Sequence, residues 1–187
     1  MIIGLTGKFA AGKGTVAEYL GRRGFAYHSL SDVIREELRA RGIAESRENL
    51  TAVGNELRRA EGPAALAGRI AGRLRDGRSH IVDSIRNPAE VEVLREVPGF
   101  FMVGVDADPR VRFERLVRRA RQGDPETFEQ FAALEERETH STDPTNQQLR
   151  ATWALVDEVV MNDGSVAELE EAVGVLLARR EAGSASS

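Results

Sequence analysis

From Gly7 to Thr15 the chain reads Gly-Lys-Phe-Ala-Ala-Gly-Lys-Gly-Thr, with the Gly-x4-Gly-Lys spacing of a phosphate-binding loop. Its setting is the required one, after a short apolar run and before a helical pattern. Glycines at 7, 12 and 14 let the backbone curl, so that the N–H groups of Lys8, Ala10, Ala11, Gly12 and Gly14 face a β-phosphate. The helix adds its positive end, and Lys13 reaches the β- and γ-phosphates. Gly14 stands where most such loops place a magnesium-binding hydroxyl, and Thr15 supplies one a position later. The competing reading is a glycine turn that binds nothing, or a loop that has lost its nucleotide.

A second set of residues lies downstream. Asp32 and Arg35 are three apart on one helical face, at the C-terminal end of the sheet, where open α/β folds bind ligands. Arg35 suits a bidentate clamp on an acceptor phosphate. Asp32 suits orienting a Mg²⁺-bound water or accepting an acceptor hydroxyl's hydrogen bond; it can equally just cap its helix. Asp83 ends an apolar strand beside the loop, where a carboxylate serves an outer-sphere metal contact or holds the following turn. Arg115, Arg118, Arg119 and Arg121 precede Gly123-Asp124-Pro125, and Arg137 follows one helix later. Arginines gathered near one hairpin suit a lid that neutralises a transferring phosphoryl group and excludes water. Glu114, Glu135, Glu136 and Glu138 offer them ordinary surface pairing instead. Asn49, Asn55 and Arg58 are pocket candidates on a helical stretch from 48 to 74, since Asn can pair with a base edge.

Positioning these groups requires a layered α/β scaffold. Strands are expected at Met1–Leu5, Phe25–Ser29, His80–Ser84, Phe100–Val105 and Glu158–Met161, with helical spacing between them. The run Phe-Phe-Met-Val-Gly-Val is continuous rather than alternating, as both faces of a covered sheet demand. Ser31 or Asp32 is expected to cap one helix, Asn87-Pro88 to start another, and Asp124-Pro125 a third. Phe113, Leu116, Val117 and Ala120 form the predicted buried face of the helix opened by Asp108-Pro109. Ser165 with Glu168 has capping-box spacing before Leu169, Val173 and Leu176. Trp153 reads as packing.

With 187 residues and a prior of about 150 per domain, one domain is expected, spanning 1–180, with a frayed tail at 181–187. Helices at about 32–75 would bind an acceptor, and about 118–140 would form the lid. The net charge of -4 disfavours nucleic acid or an anionic membrane as the main partner. The absence of cysteine excludes disulfides and thiolate chemistry, and three histidines give no zinc pattern. No run reaches the roughly 18 apolar residues of a membrane span, and the N-terminus lacks leader features. A cytoplasmic monomer or homodimer acting on small nucleotides is the expectation.

Three segments carry a family resemblance. Gly-Lys-Gly-Thr at 12–15 and Ser-Leu-Ser-Asp-Val-Ile-Arg at 29–35 resemble adenylate kinase and other nucleoside monophosphate kinases, as does Asp-Ser-Ile-Arg at 83–86. That resemblance assigns acceptor-phosphate roles to Arg35 and Arg86 and a magnesium-water or loop role to Asp83; Ser84 departs from the family's glycine. The frame from Val103 through Asp106-Ala-Asp-Pro to Arg112-Phe-Glu-Arg115-Leu, with Asp157-Glu-Val-Val-Met-Asn-Asp-Gly-Ser165, resembles dephospho-coenzyme A kinase. The likeness implies that Asn162 and Gly164 border the donor base. Ile34-Arg-Glu-Glu-Leu38 and Asp83-Ser-Ile-Arg-Asn-Pro-Ala-Glu-Val91 are similar to an archaeal family of kinase-like P-loop proteins. Together these likenesses imply a P-loop NTPase three-layer fold, a five-stranded parallel sheet in order 2-3-1-4-5, and ATP with Mg²⁺ as cofactors.

The expected reaction is in-line transfer of the γ-phosphoryl to a nucleoside or deoxynucleoside monophosphate, by alignment and charge stabilisation from Lys13 and the arginines. An acceptor phosphate is already ionised and needs no strong base. A hydroxyl acceptor, as in dephospho-coenzyme A kinase, would instead make Asp32 the general base. A nucleotide-binding regulatory ATPase is the third reading.

Overall fold

The computed structural model describes residues 1–119, 124–139 and 147–184, with the side chains at 137–139 and 184 outside that description. Five parallel strands form the sheet: β1 Ile2–Gly7, β2 Ala26–Ser29, β3 His80–Asp83, β4 Phe100–Asp106 and β5 Glu158–Met161. Their order is β2-β3-β1-β4-β5, with Ile2 level with both His80 and Phe100. All five predicted strands form, and the order is the expected one.

Between the strands run α1 (Lys13–Arg22), α2 (Leu30–Ala40), α3 (Arg47–Glu61), α4 (Ala65–Ala71), α5 (Pro88–Arg95) and α6 (Pro109–Arg119). α7 (Phe128–Thr139), α8 (Leu149–Trp153) and α9 (Val166–Ser184) complete the described helices. The pleat sends alternate residues to opposite faces. Ile2, Val82 and Met102 join the core under α2 to α5, including Leu66, Ile70 and Leu74. Ile3, Leu5, Ile81, Phe101 and Val103 join the core under α1 and α9. Burial on both faces is why these strands read as unbroken apolar runs.

Several boundaries differ from expectation. Ser29, not Ser31 or Asp32, caps α2, its Oγ accepting from the Ser31 N–H at 3.2 Å. Asp124 is taken by Arg119, so α7 opens only at Phe128, with Thr127 Oγ1 accepting from the Gln130 N–H. Val117 is half exposed, because α6 turns Arg112 and Leu116 inward in its place; Ala120 lies outside the described residues. α9 continues through Glu181 to Ser184. The Asn87 cap and the Ser165–Glu168 pair form as read, and Glu90 completes a capping box at Asn87. Trp153 packs on β4: a Cβ at Gly104 would lie 2.8 Å from its ring.

Candidate functional site

The loop between β1 and α1 is shaped by close approaches. A Cβ at Gly7 would sit 2.2 Å from the Val105 carbonyl oxygen of the neighbouring strand. Gly12 has φ +103, and a Cβ there would meet Asn162 Nδ2 at 2.1 Å. Ala10 takes a left-handed φ of 60, a conformation that L-residues with a side chain adopt at a cost. Gly12 caps α1 without any side-chain bond, and the helix's first turn carries no acid, so its positive end is not offset locally. Lys13 Nζ donates to the Gly7 carbonyl at 3.1 Å.

This loop forms one wall of a cavity of about 770 Å³. Gly12, Lys13, Gly14 and Thr15 supply that wall; Arg35, Arg47 and Arg58 face it from α2 and α3. Asp83, Ser84 and Arg86 form the floor, and Arg115, Arg119 and Asp124 complete the lining, Arg119 lying against Phe9 of the loop itself. Most of its cations are held by carboxylates or amides. Arg35 donates to Asp32 at 2.8 Å and to Glu45 at 2.9 Å. Arg119 is paired with Asp124 at 3.0 Å, and Arg86 Nη1 donates to Gln147 at 3.3 Å.

Asp83 is 8% exposed at the end of β3. One of its oxygens accepts the Ser84 N–H at 2.6 Å and the other the Tyr27 hydroxyl at 3.2 Å. Burial and the Asp83 charge push the Tyr27 phenol up to about 12. Each carboxylate oxygen retains a second lone pair for a metal-bound water. Ser84 has φ 66, in the left-handed region that favours glycine.

The comparisons follow from this geometry. An AAA domain family model matches residues 3–141. A UPF0200 protein of Pyrococcus abyssi is 32% identical over 184 residues, covering 95% of each chain. One from Aeropyrum pernix is 37% identical over 174 residues, covering 91% of this chain and 88% of its own. The chain belongs to the UPF0200 family. Among solved structures, a sugar kinase from Janibacter is similar at TM-score 0.58 and 19% identity, covering 94% of this chain and 93% of that one. A shikimate kinase from Aquifex aeolicus gives 0.57 and 17%, covering 98% and 99%. These likenesses show that this UPF0200 chain has the P-loop kinase fold.

Within the UPF0200 chain, the cavity brings together Ala10 through Thr15, Arg35, Asp83, Arg86, Arg115 and Arg119. Gly7 and Lys8 lie behind it, Lys8 paired with Asp106 at 2.9 Å. Asp32 is outside the lining, its carboxylate spent on Arg35. Arg118 is exposed and does not reach the cavity. The side chain of Arg137 and the whole of Arg121 and Gly123 lie outside the described residues. Asn162 contacts the phosphate loop and Arg115, and Gly164 contacts Arg115. The Asn162 amide, 6% exposed, donates to the Ala11 carbonyl at 2.9 Å from beneath the loop, and Arg115 Nη2 donates to Asn162 Oδ1 at 3.2 Å. Gly164 offers its carbonyl to the same Nη2 at 3.4 Å. Among the described residues, the buried Nη1 of Arg115 has no hydrogen-bond partner.

Sequence reasoning missed three residues. Phe9 lies under two guanidinium groups, Arg47 at 4.1 Å and Arg119 at 4.5 Å from its ring centre. Glu45 holds Arg35. Arg112, fully buried, donates to the Phe9 carbonyl at 3.3 Å and the Ala107 carbonyl at 2.8 Å and pairs with Glu135 of α7. Only Arg112 had a signal, an arginine at the inward position of an amphipathic helix beside Leu116. Among the described residues, no cluster of three or more His, Asp or Glu forms a metal cage, and no helix is long and apolar enough to cross a membrane.

Proposed function

We propose that this chain transfers the γ-phosphoryl of ATP to a phosphate oxygen of a nucleoside or deoxynucleoside monophosphate. The observation that carries the reading is that one cavity joins Lys13 and Thr15 to Arg35 and Arg86. Its volume suits two small ligands held end to end. The loop amides and Lys13 would hold the donor phosphates, and Arg35 and Arg86 the acceptor phosphate. An acceptor oxygen forms a bond to the γ-phosphorus as the bond to the β-phosphate oxygen breaks, leaving ADP. Alignment and charge neutralisation supply the rate.

Thr15 and Asp83 both line the cavity, and a kinase magnesium ion takes few protein ligands. They fit as its supports, Asp83 through water; when bound, the ion would neutralise the developing charge on the phosphates. Arg115 and Arg119 line the same cavity and would neutralise the transferring group. Arg119 must exchange Asp124 and Phe9 for phosphate to do so.

Transfer to a hydroxyl is the second reading, favoured by the names of the similar solved structures, a sugar kinase and a shikimate kinase. Asp83, rather than Asp32, would then be the base, since Asp32 does not line the cavity. One experiment separates them. The protein is incubated with Mg-ATP and each ribo- and deoxynucleoside monophosphate, gluconate, shikimate and dephospho-coenzyme A, and products are weighed by mass spectrometry. A nucleoside diphosphate other than ADP, or consumption of AMP with two ADP formed per ATP, supports the first reading; a phosphorylated hydroxyl compound alone replaces it with the second.

A further inference from the structure

Glu90 belongs to the Asp-x-Ile-Arg-x3-Glu-Val segment, yet phosphoryl transfer as described leaves it without a task. It is fully buried, as is Arg58 of α3. Its Oε1 accepts from Arg58 Nε at 2.9 Å and Nη2 at 2.7 Å. Its Oε2 accepts the backbone N–H groups of Arg86 at 2.9 Å and Asn87 at 3.0 Å. Burial pushes the carboxyl up, while Arg58 and those two N–H groups draw it down. A helix-capping box alone accounts for the bond to the Asn87 N–H. It does not account for a second bond to the residue before the cap, nor for an arginine brought from another helix. Space is made for that arginine: a Cβ at Gly54, one turn earlier, would lie 2.8 Å from Ile34 Cδ1 and 3.4 Å from Arg58 Nη1.

A buried ion pair is a poor source of stability, because desolvating both charges offsets most of their attraction. What this pair does supply is position. α3 carries Arg47, Leu50 and Thr51 to the cavity wall, and Arg86 rises from the floor. Through Arg58 and Glu90 the wall and the backbone of Arg86 are tied into one block. We propose that Glu90, with Arg58, is a positioning residue that presets the acceptor half of the cavity by fixing the Arg86 backbone to α3. It deepens the monophosphate reading and rests on it for the identity of the acceptor.

The test uses the full chain as Glu90→Gln and as the double variant Glu90→Leu with Arg58→Met. The double variant removes both buried charges and fills the space, at some cost in stability for the Arg86 and Asn87 N–H groups that lose their acceptor. In both, amide hydrogen exchange at Arg86 and Asn87, followed by NMR without ligand, accelerates by about tenfold or more while β3 stays protected. With the monophosphate turned over fastest in the panel, acceptor KM rises by about tenfold or more. ATP affinity stays within about twofold of wild type, because the loop does not touch Glu90. Exchange speeds up in the double variant on either reading, since leucine accepts no hydrogen bond, so a purely structural pair is told apart by a double variant that restores the acceptor KM. Wild-type exchange at Arg86 and Asn87 in the double variant, or unchanged acceptor KM, overturns the proposal. If the wild-type protein turns over no monophosphate, the function reading fails by itself, and the exchange measurement still decides whether Glu90 fixes Arg86.

Discussion

The side-chain amide of Asn162 donates to the carbonyl oxygen of Ala11 at 2.9 Å, in space left by the missing side chain of Gly12. The last strand's loop thus holds the phosphate loop from below. Asn162→Ala orphans a buried carbonyl and is expected to cost about 1–3 kcal/mol of stability. It also loosens ATP binding. Gly12→Ala drives a methyl into the amide and imposes strain at φ +103. The double variant removes that clash and should cost less than the sum of the two changes. Urea denaturation of the three variants checks this.

On the proposed reading, Glu45 competes with the acceptor phosphate for Arg35. The pair is partly exposed, with Arg35 at 32% and Glu45 at 54%, so releasing it costs little stability. Glu45→Ala is expected to lower the KM of an anionic acceptor by about 2–5-fold, the range of a partly exposed ion pair, with kcat unchanged. Steady-state kinetics against the acceptor panel gives the answer. A higher KM would mean that Glu45 contacts the acceptor itself.

Ser84 holds a left-handed φ of 66 between Asp83 and the acceptor-side loop. Glycine adopts that geometry without the Cβ clash, though it loses more freedom on folding and gives up the 3.3 Å Ser29–Ser84 hydroxyl contact. Ser84→Gly should raise stability by about 0.5–1 kcal/mol. Ser84→Val should lower it, because a β-branched residue tolerates that region worst. Chemical denaturation measures both.

His28 gives stability an acid-side dependence. Its Nε2 faces His80 Nδ1 at 3.0 Å, and His80 Nε2 faces Asp76 at 2.8 Å. Burial, then His80, Arg73 and Arg78, lower the His28 pKa from 6.5, against a weaker pull from Asp76. The folded state therefore binds fewer protons than the unfolded chain below pH 6.5. The contribution is fully present above that value and is lost as pH falls from 6.5 through the folded pKa. His28→Gln should flatten the stability curve between about pH 5 and 7, read by thermal melts across that range. A wild-type melting temperature independent of pH there contradicts this assignment.

The strands and the phosphate loop were legible because local chemistry dictates them. Ile2 to Leu5 and Phe100 to Val105 must be buried on both faces, and the glycines at 7 and 12 are needed where backbone or an amide comes within contact. Arg35 and Asp32 were readable as a pair through their helical spacing, but not that the pairing would take Asp32 out of the cavity. Asn162 under Ala11 is a contact across 151 residues, and Arg112 to Phe9 one across 103. Topology alone sets such contacts. The spacing of Arg112 from Leu116 marks it as inward, but its partners across the chain are set by the crossover after β4. Helix starts failed where a competing partner intervened, as Arg119 does at Asp124.

Calorimetric titration of Mg-ATP into the wild-type protein and Lys13→Ala tests the nucleotide cup most directly. One ATP bound per chain, with affinity reduced by about 100-fold or more in Lys13→Ala, is expected for a lysine at the donor phosphates. Absence of heat with the wild-type protein, or equal affinity in both, would contradict a nucleotide held by this loop.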